Sequence, residues 1–418
     1  MVAELDRYVA PLLELQVFSG TVAVAKGERI ILERSYGFAD AEHDIPIRAS
    51  TVFRIASISK PFTRALIGRL SDLKLLALDD PVSKWLPDFP SANIITIRML
   101  LDHRGGVPHI NSLPYDEEAL EPNSLGRLVD SIAKRPLEFE PGANRRYSNG
   151  GYAVLARIVE LVAREPFGTV IEREILEPLA LTATRHEADG LIVRGLARGY
   201  MPSPEIMNRL VKAPFQEMDT KQGGGSMVSS VADLITWARA IGRSEILAES
   251  TWAELFPAKD GVFEFQGRSP GFNAYIVHDR RRDMTTVVLA NNYSASMIDE
   301  LAAAAAAIAD GRPPQPLAVV APVSDSEAQQ VRMAGRYSVP DGVLPLPPGS
   351  GVELRMMTGS IVVFIGAAPI DVLVAQGRGR YLARALWSMI ETEPGRAVNS
   401  LRVRALYRDS EFTATRVQ

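Results

Sequence analysis

The order in which hydrophobic periods appear along the chain is its tightest constraint on fold. Thr21 to Ala25 and Arg29 to Glu33 carry strand-type apolar patterning around Lys26-Gly27, which reads as a hairpin. From Ser57 to about Ala240 the period is mostly helical, with long irregular connections. Val154, Leu155, Ile158, Val159 and Val162 mark a helix over Ala153 to Arg164. Ser229 and Ser230 precede a second helix through Leu234, Trp237 and Ile241, with Asp233 early in it. Strand character returns at Phe272 to Val277 and Thr285 to Ala290, joined by the solvated tip Asp279-Arg280-Arg281-Arg282-Asp283. An amphipathic helix (Leu5, Val9, Leu12, Leu13) opens the chain over Met1 to Gln16, and an alanine-rich one, Ile298 to Asp310, closes this portion. Strands at both ends of a helical middle predict an α+β fold. One antiparallel sheet is assembled from both ends of the domain, with helices packed on it.

Gly311-Arg312-Pro313-Pro314-Gln315-Pro316 reads as a linker, after which the texture changes to short strands. Val352 to Met356, Ile361 to Ile365, Val372 to Ala375 and Leu401 to Tyr407 predict a small all-β sandwich or barrel. The expected division is 1–310, a linker at 311–325, and 326–418, two domains in a chain of 418 residues. Three roles stay open for the tail: capping a cleft, mediating dimers, or neither.

Within the helical middle, Ser57-Ile58-Ser59-Lys60 and Tyr147-Ser148-Asn149 concentrate the chemistry. A serine hydroxyl needs a neighbour to take its proton. A three-residue step puts Ser57 and Lys60 on one face of a helical turn, and burial lowers a lysine's pKa toward the range where it exchanges protons. S-x-x-K occurs three times, but Ser71/Lys74 and Ser131/Lys134 lie late in helical runs and read as solvated faces. Ser57 instead follows the extended approach Thr51 to Ala56 and precedes the periodic Phe62, Leu66, Ile67 and Leu70, which places it at a helix N-terminus. Pro61 predicts a distorted or 3₁₀ start. Of eleven tyrosines, Tyr147 alone begins a Y-x-N.

Other chemistries find little support. A net charge of −4 gives no reason to expect nucleic acid or an anionic membrane surface as partner. With no cysteine there is no disulfide, thiolate metal site or cysteine nucleophile. Five scattered histidines lack metal-ligand spacing, so no metal is expected, nor any cofactor; His103 and His109 invite a triad reading, but no G-x-S-x-G accompanies them and neither is expected to be catalytic. No apolar run approaches the roughly 18 residues of a spanning helix. The N-terminus does not read as a signal peptide, which leaves a cytoplasmic protein or a trimmed exported one.

Residues 17 to 310 resemble the serine β-lactamase and penicillin-binding-protein superfamily, in the branch of class C β-lactamases, family VIII esterases and D-amino-acid peptidases. Besides the two motifs, the resemblance runs through Leu78-Asp79-Asp80-Pro81-Val82, Leu100 to Pro108, Phe139-Glu140-Pro141-Gly142, Gly223-Gly224-Gly225-Ser226 and Ser269-Pro270-Gly271-Phe272. The tail, from Ala334-Gly335-Arg336-Tyr337, resembles a lipocalin-like barrel. The resemblance implies that Ser57 forms an acyl-enzyme, with Lys60 beside it. Tyr147 would relay the proton to the leaving group, and Asn149 would orient Lys60 and bind substrate. The oxyanion hole would be the backbone N–H groups of Ser57 and Arg268.

The family's third motif, Lys-Thr-Gly or a variant, is replaced here by Phe265-Gln266-Gly267. A phenyl ring cannot bind a substrate carboxylate, so neutral esters suit this site better than penicillins or D-alanyl peptides, with Arg268 as a substitute charge. The expected function is hydrolysis of carboxylic esters or small amides. The alternatives are a D-amino-acid peptidase or carboxypeptidase, a weak β-lactamase, or, in another class, a retired peptide-binding or scaffold protein. The expected partner is a small ester, amide or peptide, and the oligomeric state is open.

Overall fold

The computed structural model describes the chain apart from residues 111–123, 188–190, 204–205, 207–208, 293–296, 320–321, 324–326, 341–350, 358, 385–386, 393–397, 407–409 and 418. Gly20–Lys26 pairs antiparallel with both Arg29–Tyr36 and Met284–Ala290, so the two ends of the domain meet in one sheet. Phe272–Asp279 and then Val262–Ser269 extend it to five antiparallel strands. The edge strand Val262–Ser269 is absent from the sequence reading, although its burial alternates: Phe263 and Gly267 are buried while Glu264, Gln266 and Arg268 are exposed.

The period-2 geometry of strands divides the core in two. Ala23, Ala25, Ile276, Val287 and Leu289 face one layer of helices, meeting Phe62, Leu66, Trp237 and Ile241. Val22, Val24, Tyr275 and Val288 face the other, meeting Leu5, Val9, Leu12 and Leu301. Leu5, Val9 and Leu12 recur at the spacing of one helix face on Val2–Glu14, whereas Leu13 lies a quarter-turn away and is exposed.

The helix Ser59–Asp72 begins with a 3₁₀ turn over Ala56–Ile58, as Pro61 predicted. Ala56 sits at φ +46, a conformation that costs a residue with a Cβ about 1–3 kcal/mol. The side chain of Ser59 ties that turn down: it donates to Ala56 O (2.7 Å) and accepts from the N–H of Met227 (3.1 Å). Upstream, Arg54 forms a two-point ion pair with Glu187, at 2.8 and 2.6 Å. The turn that presents Ser57 is thus braced from both sides.

The C-terminal part is a closed barrel of eight antiparallel strands, each paired with the next and Gly335–Ser338 closing on Ser410–Arg416. Gly335–Ser338, Arg380–Ala383, Ser388–Glu391 and Ser410–Arg416 were not among the strands read from sequence. Gly351–Met357, Ser360–Ile365, Ala368–Gly377 and Ser400–Ala405 were, each within a few residues. Of that last reading, Tyr407 falls outside the described residues. Leu373, Ala375, Tyr381 and Leu401 fill the barrel. Val374, Leu382, Trp387 and Met389 point outward into the layer formed by Val2–Glu14 and Ile298–Ala309. The barrel therefore docks on the face of the sheet opposite Ser59–Asp72. Arg384, with 0% exposure, reaches across to the carbonyls of Leu15 (3.3 Å) and Ser203 (3.5 Å).

Candidate active site

Ser57 projects from its 3₁₀ turn into an open cleft of about 480 Å³. Lys60, one turn later, is only 5% exposed, and its ammonium has three hydrogens to place. It donates to Asn149 Oδ1 at 2.7 Å, to Gly224 O at 2.8 Å and to Ser57 Oγ at 3.2 Å. Burial lowers its pKa to about 7, with the charge of Lys221 adding to the effect. Near neutral pH it therefore exchanges between an ammonium and an amine whose lone pair replaces one of those donors.

Asn149 is the first residue of the helix Asn149–Ala163, capped by Ser148, whose Oγ accepts from the N–H of Gly151 at 2.9 Å. Its Nδ2 donates to Ile110 O at 3.1 Å, which turns Oδ1 toward Lys60. Tyr147 precedes the cap, and its hydroxyl lies 2.6 Å from Ser57 Oγ. Although 46% of Tyr147 is exposed, desolvation pushes its phenol up to about 12, partly opposed by the Ser57 hydroxyl. It remains a phenol across the working pH range.

His103 and His109 hold this segment rather than joining the reacting groups. Each accepts on Nδ1 at 3.2 Å, His103 from the N–H of Ser148 and His109 from that of Asn149. That network assigns the ring proton to Nε2. Burial, then the Lys60 charge, lowers both, His103 to about 4, so both are neutral. Their rings flank Tyr147, with centroids 4.8 and 5.5 Å away.

The edge strand Val262–Ser269 forms the third wall. At Gly267 a Cβ would lie 2.0 Å from Ile55 O and 3.1 Å from the backbone N of Ser57, so only glycine allows this approach. Phe265 is half-buried, its ring edge-to-face with Trp237 at 5.4 Å, and Trp237 in turn stacks on Phe62 at 4.3 Å. Ser57, Lys60, Tyr147, Asn149, Phe265, Gln266 and Arg268 line the same cleft, joined by Pro61, His109 and Glu264. Gly267 backs it. Among the described residues no barrel side chain lines it.

Sequence reasoning assigned no role to two groups beside Lys60. Gly224 supplies a backbone carbonyl, and the triple glycine Gly223-Gly224-Gly225 was the available signal: a Cβ on Gly224 would come within 3.4 Å of Lys60 Nζ. Lys221, the last residue of the 3₁₀ turn Met218–Lys221, left no signal of its own. Elsewhere, Asp40, Glu42 and His43 bring ligand atoms within 4.8 Å of one another. Arg198 already pairs with Asp40 (3.0 Å) and Glu42 (2.8 Å), and Lys212 with Glu42 (2.5 Å), which leaves no net charge to attract a cation.

Comparison with known proteins gives a consistent picture. The Beta-lactamase family matches residues 5–311. Penicillin-binding protein 4* of Bacillus subtilis is 26% identical over 319 residues, covering 66% of this chain and 69% of that protein. Teichoic acid D-alanine hydrolase of Staphylococcus aureus is 28% identical over 197 residues, 47% of either chain. The octameric penicillin-binding protein homologue from Pyrococcus abyssi shares the fold over 99% of both chains, with a TM-score of 0.63 at 19% identity.

Proposed function

Because the chain belongs to the Beta-lactamase family of serine hydrolases, we propose that it works through a Ser57 acyl-enzyme on carboxylic esters or small amides. One observation carries the reading: Ser57 Oγ stands between Lys60 Nζ at 3.2 Å and Tyr147 Oη at 2.6 Å in an open cleft. Of the two, Lys60 is the base, because its pKa of about 7 leaves part of it neutral whereas the phenol at about 12 keeps its proton.

In acylation, Ser57 Oγ bonds to the substrate carbonyl carbon as its proton passes to Lys60. Tyr147 gives its phenolic proton to the departing alcohol or amine and is restored from Lys60. Water then attacks the acyl-enzyme, and the same groups return the proton to Ser57. Asn149 holds Lys60 in line. The carbonyl oxygen is received by the backbone N–H groups of Ser57 and Arg268, a role supported by the close approach at Gly267. Phe265, anchored on Trp237, offers a neutral surface where a cation would hold a carboxylate, which favours uncharged esters.

The Staphylococcus relative, named as a D-alanine hydrolase, favours a second reading, release of D-amino acids. Arg268, in the cleft lining, would then hold an anionic portion of the substrate. The test is a panel of a nitrophenyl ester, a D-alanyl anilide and a chromogenic cephalosporin, with native protein and Ser57→Ala. Ester turnover well above the others, and lost in the variant, is expected. Native-rate hydrolysis by Ser57→Ala overturns the assignment, and preference for the anilide moves it to the second reading.

A further inference from the structure

A second chamber of about 510 Å³ adjoins the Ser57 cleft. The two share Lys60, Pro61, Glu264 and Phe265 as walls. Its far side is apolar: Leu255, Phe256, Pro257, Val262 and Phe263. Arg64 borders it, but its guanidinium is engaged by Asp102 (3.0 Å) and the carbonyl of Leu101 (2.5 Å). Lys259 and Asp260, adjacent and opposite in sign, stand exposed at the rim. The chamber's size falls within the roughly 300–1,000 Å³ of small-molecule sites.

The layout decides which part of a substrate would enter. Along the edge strand, Gly267 and Arg268 lie by the Ser57 backbone N–H, where the carbonyl oxygen would settle. Glu264 and Phe265, at the other end, lie by Lys60 and Pro61, and these four residues line both the cleft and the chamber. The leaving oxygen must reach the groups that handle its proton, Lys60 and Tyr147, so its substituent points toward the chamber. The acyl chain is directed the opposite way, past Gln266 and Arg268, both exposed.

Resting on the acyl-enzyme reading above, we infer that this chamber is the subsite for the leaving alcohol and selects esters of apolar alcohols of several carbons. Phe265, fixed by Trp237, is the partition that sets its width. In the step concerned, the Ser57 Oγ–carbonyl carbon bond forms, the ester carbon–oxygen bond breaks, and the alcohol departs through the chamber carrying the Ser57 proton equivalent. A leaving-group subsite has a kinetic signature that an acyl subsite lacks. The alcohol is gone before water attacks, so it governs acylation alone.

The test uses the full-length protein and butyrate esters of ethyl, butyl and hexyl alcohols. The measurements are kcat/KM for acylation and the decay of the butyryl-enzyme by intact mass. The expected rise in kcat/KM is roughly fourfold per methylene buried, with one decay rate common to all three esters. Pro257→Trp, substituted at an exposed position on the chamber wall, should compress the hexyl-to-ethyl ratio by about fivefold or more. A flat alcohol series overturns the inference, as does a hexyl-to-ethyl ratio left unchanged in Pro257→Trp. The hydrolase reading survives either result as long as Ser57→Ala is inactive on all three. Undiminished turnover by Ser57→Ala removes the reading beneath it.

Discussion

Gly267→Ala is a one-methyl test of how the edge strand serves Ser57. The added Cβ would stand 2.0 Å from Ile55 O, a backbone atom with no rotamer to retreat into. The strand and the 3₁₀ turn must part by about 1 Å or more to restore van der Waals contact. That movement separates the N–H of Ser57 from that of Arg268, the two proposed oxyanion donors. Loss of one such donor costs about 10²–10³ in kcat, and a misplacement of this size independently costs about 10². The overpacking itself should cost only about 1–3 kcal/mol of stability, because one edge strand moves while both core layers keep their contacts. Nitrophenyl ester kinetics on protein standardised by active-site titration, with thermal melts alongside, separates the two effects. A folded Gly267→Ala protein with native kcat would refute the oxyanion geometry.

Four further outcomes follow from the structure. The kcat/KM for a neutral ester should climb with pH through an apparent pKa near 7, as Lys60 loses the proton that blocks its base function, with no descending limb from Tyr147 below about pH 10; a flat profile from pH 5 to 9 would exclude Lys60 as the base. Because burial holds Lys60 below its unfolded value of 10.5, the unfolded chain binds more protons between about pH 7 and 10, so this group makes the fold more stable as pH rises there. Tyr147→Phe should lower acylation about 10²–10⁴-fold with KM little changed, and pre-steady-state bursts would expose a defect confined to deacylation instead. Arg384→Leu removes the cation beside buried Asp371 and the donor to Leu15 O and Ser203 O, and should cost about 3 kcal/mol or more in chemical denaturation while the folded protein keeps its ester kcat/KM.

Legibility in the sequence tracked how local each determinant is. The hairpin around Lys26-Gly27, the strands Phe272–Asp279 and Met284–Ala290 and the long helices announce themselves, because burial of one face imposes a period on neighbouring residues. Ser57, Lys60, Tyr147 and Asn149 were equally legible, since a turn of helix and a helix cap are short-range structures. The strand Val262–Ser269 was overlooked because one buried face interrupted by Gly267 leaves only a weak alternation. Four barrel strands went unread for a similar reason: three of them are only four residues long, and their partners are supplied by the barrel's closure.

By itself, then, the sequence determined the α+β plan of one antiparallel sheet with helices packed on it, the all-β tail and the residue types available for acyl transfer. Only the tertiary structure decided how far Lys60 is desolvated, that Gly224 and Lys221 stand beside it, that both histidines are loop anchors, and that the barrel docks behind the sheet, away from the cleft. Those are matters of distance between segments up to hundreds of residues apart. A pKa or a docking face depends on what surrounds a group in space, and the order of residues along the chain carries that information only through the fold.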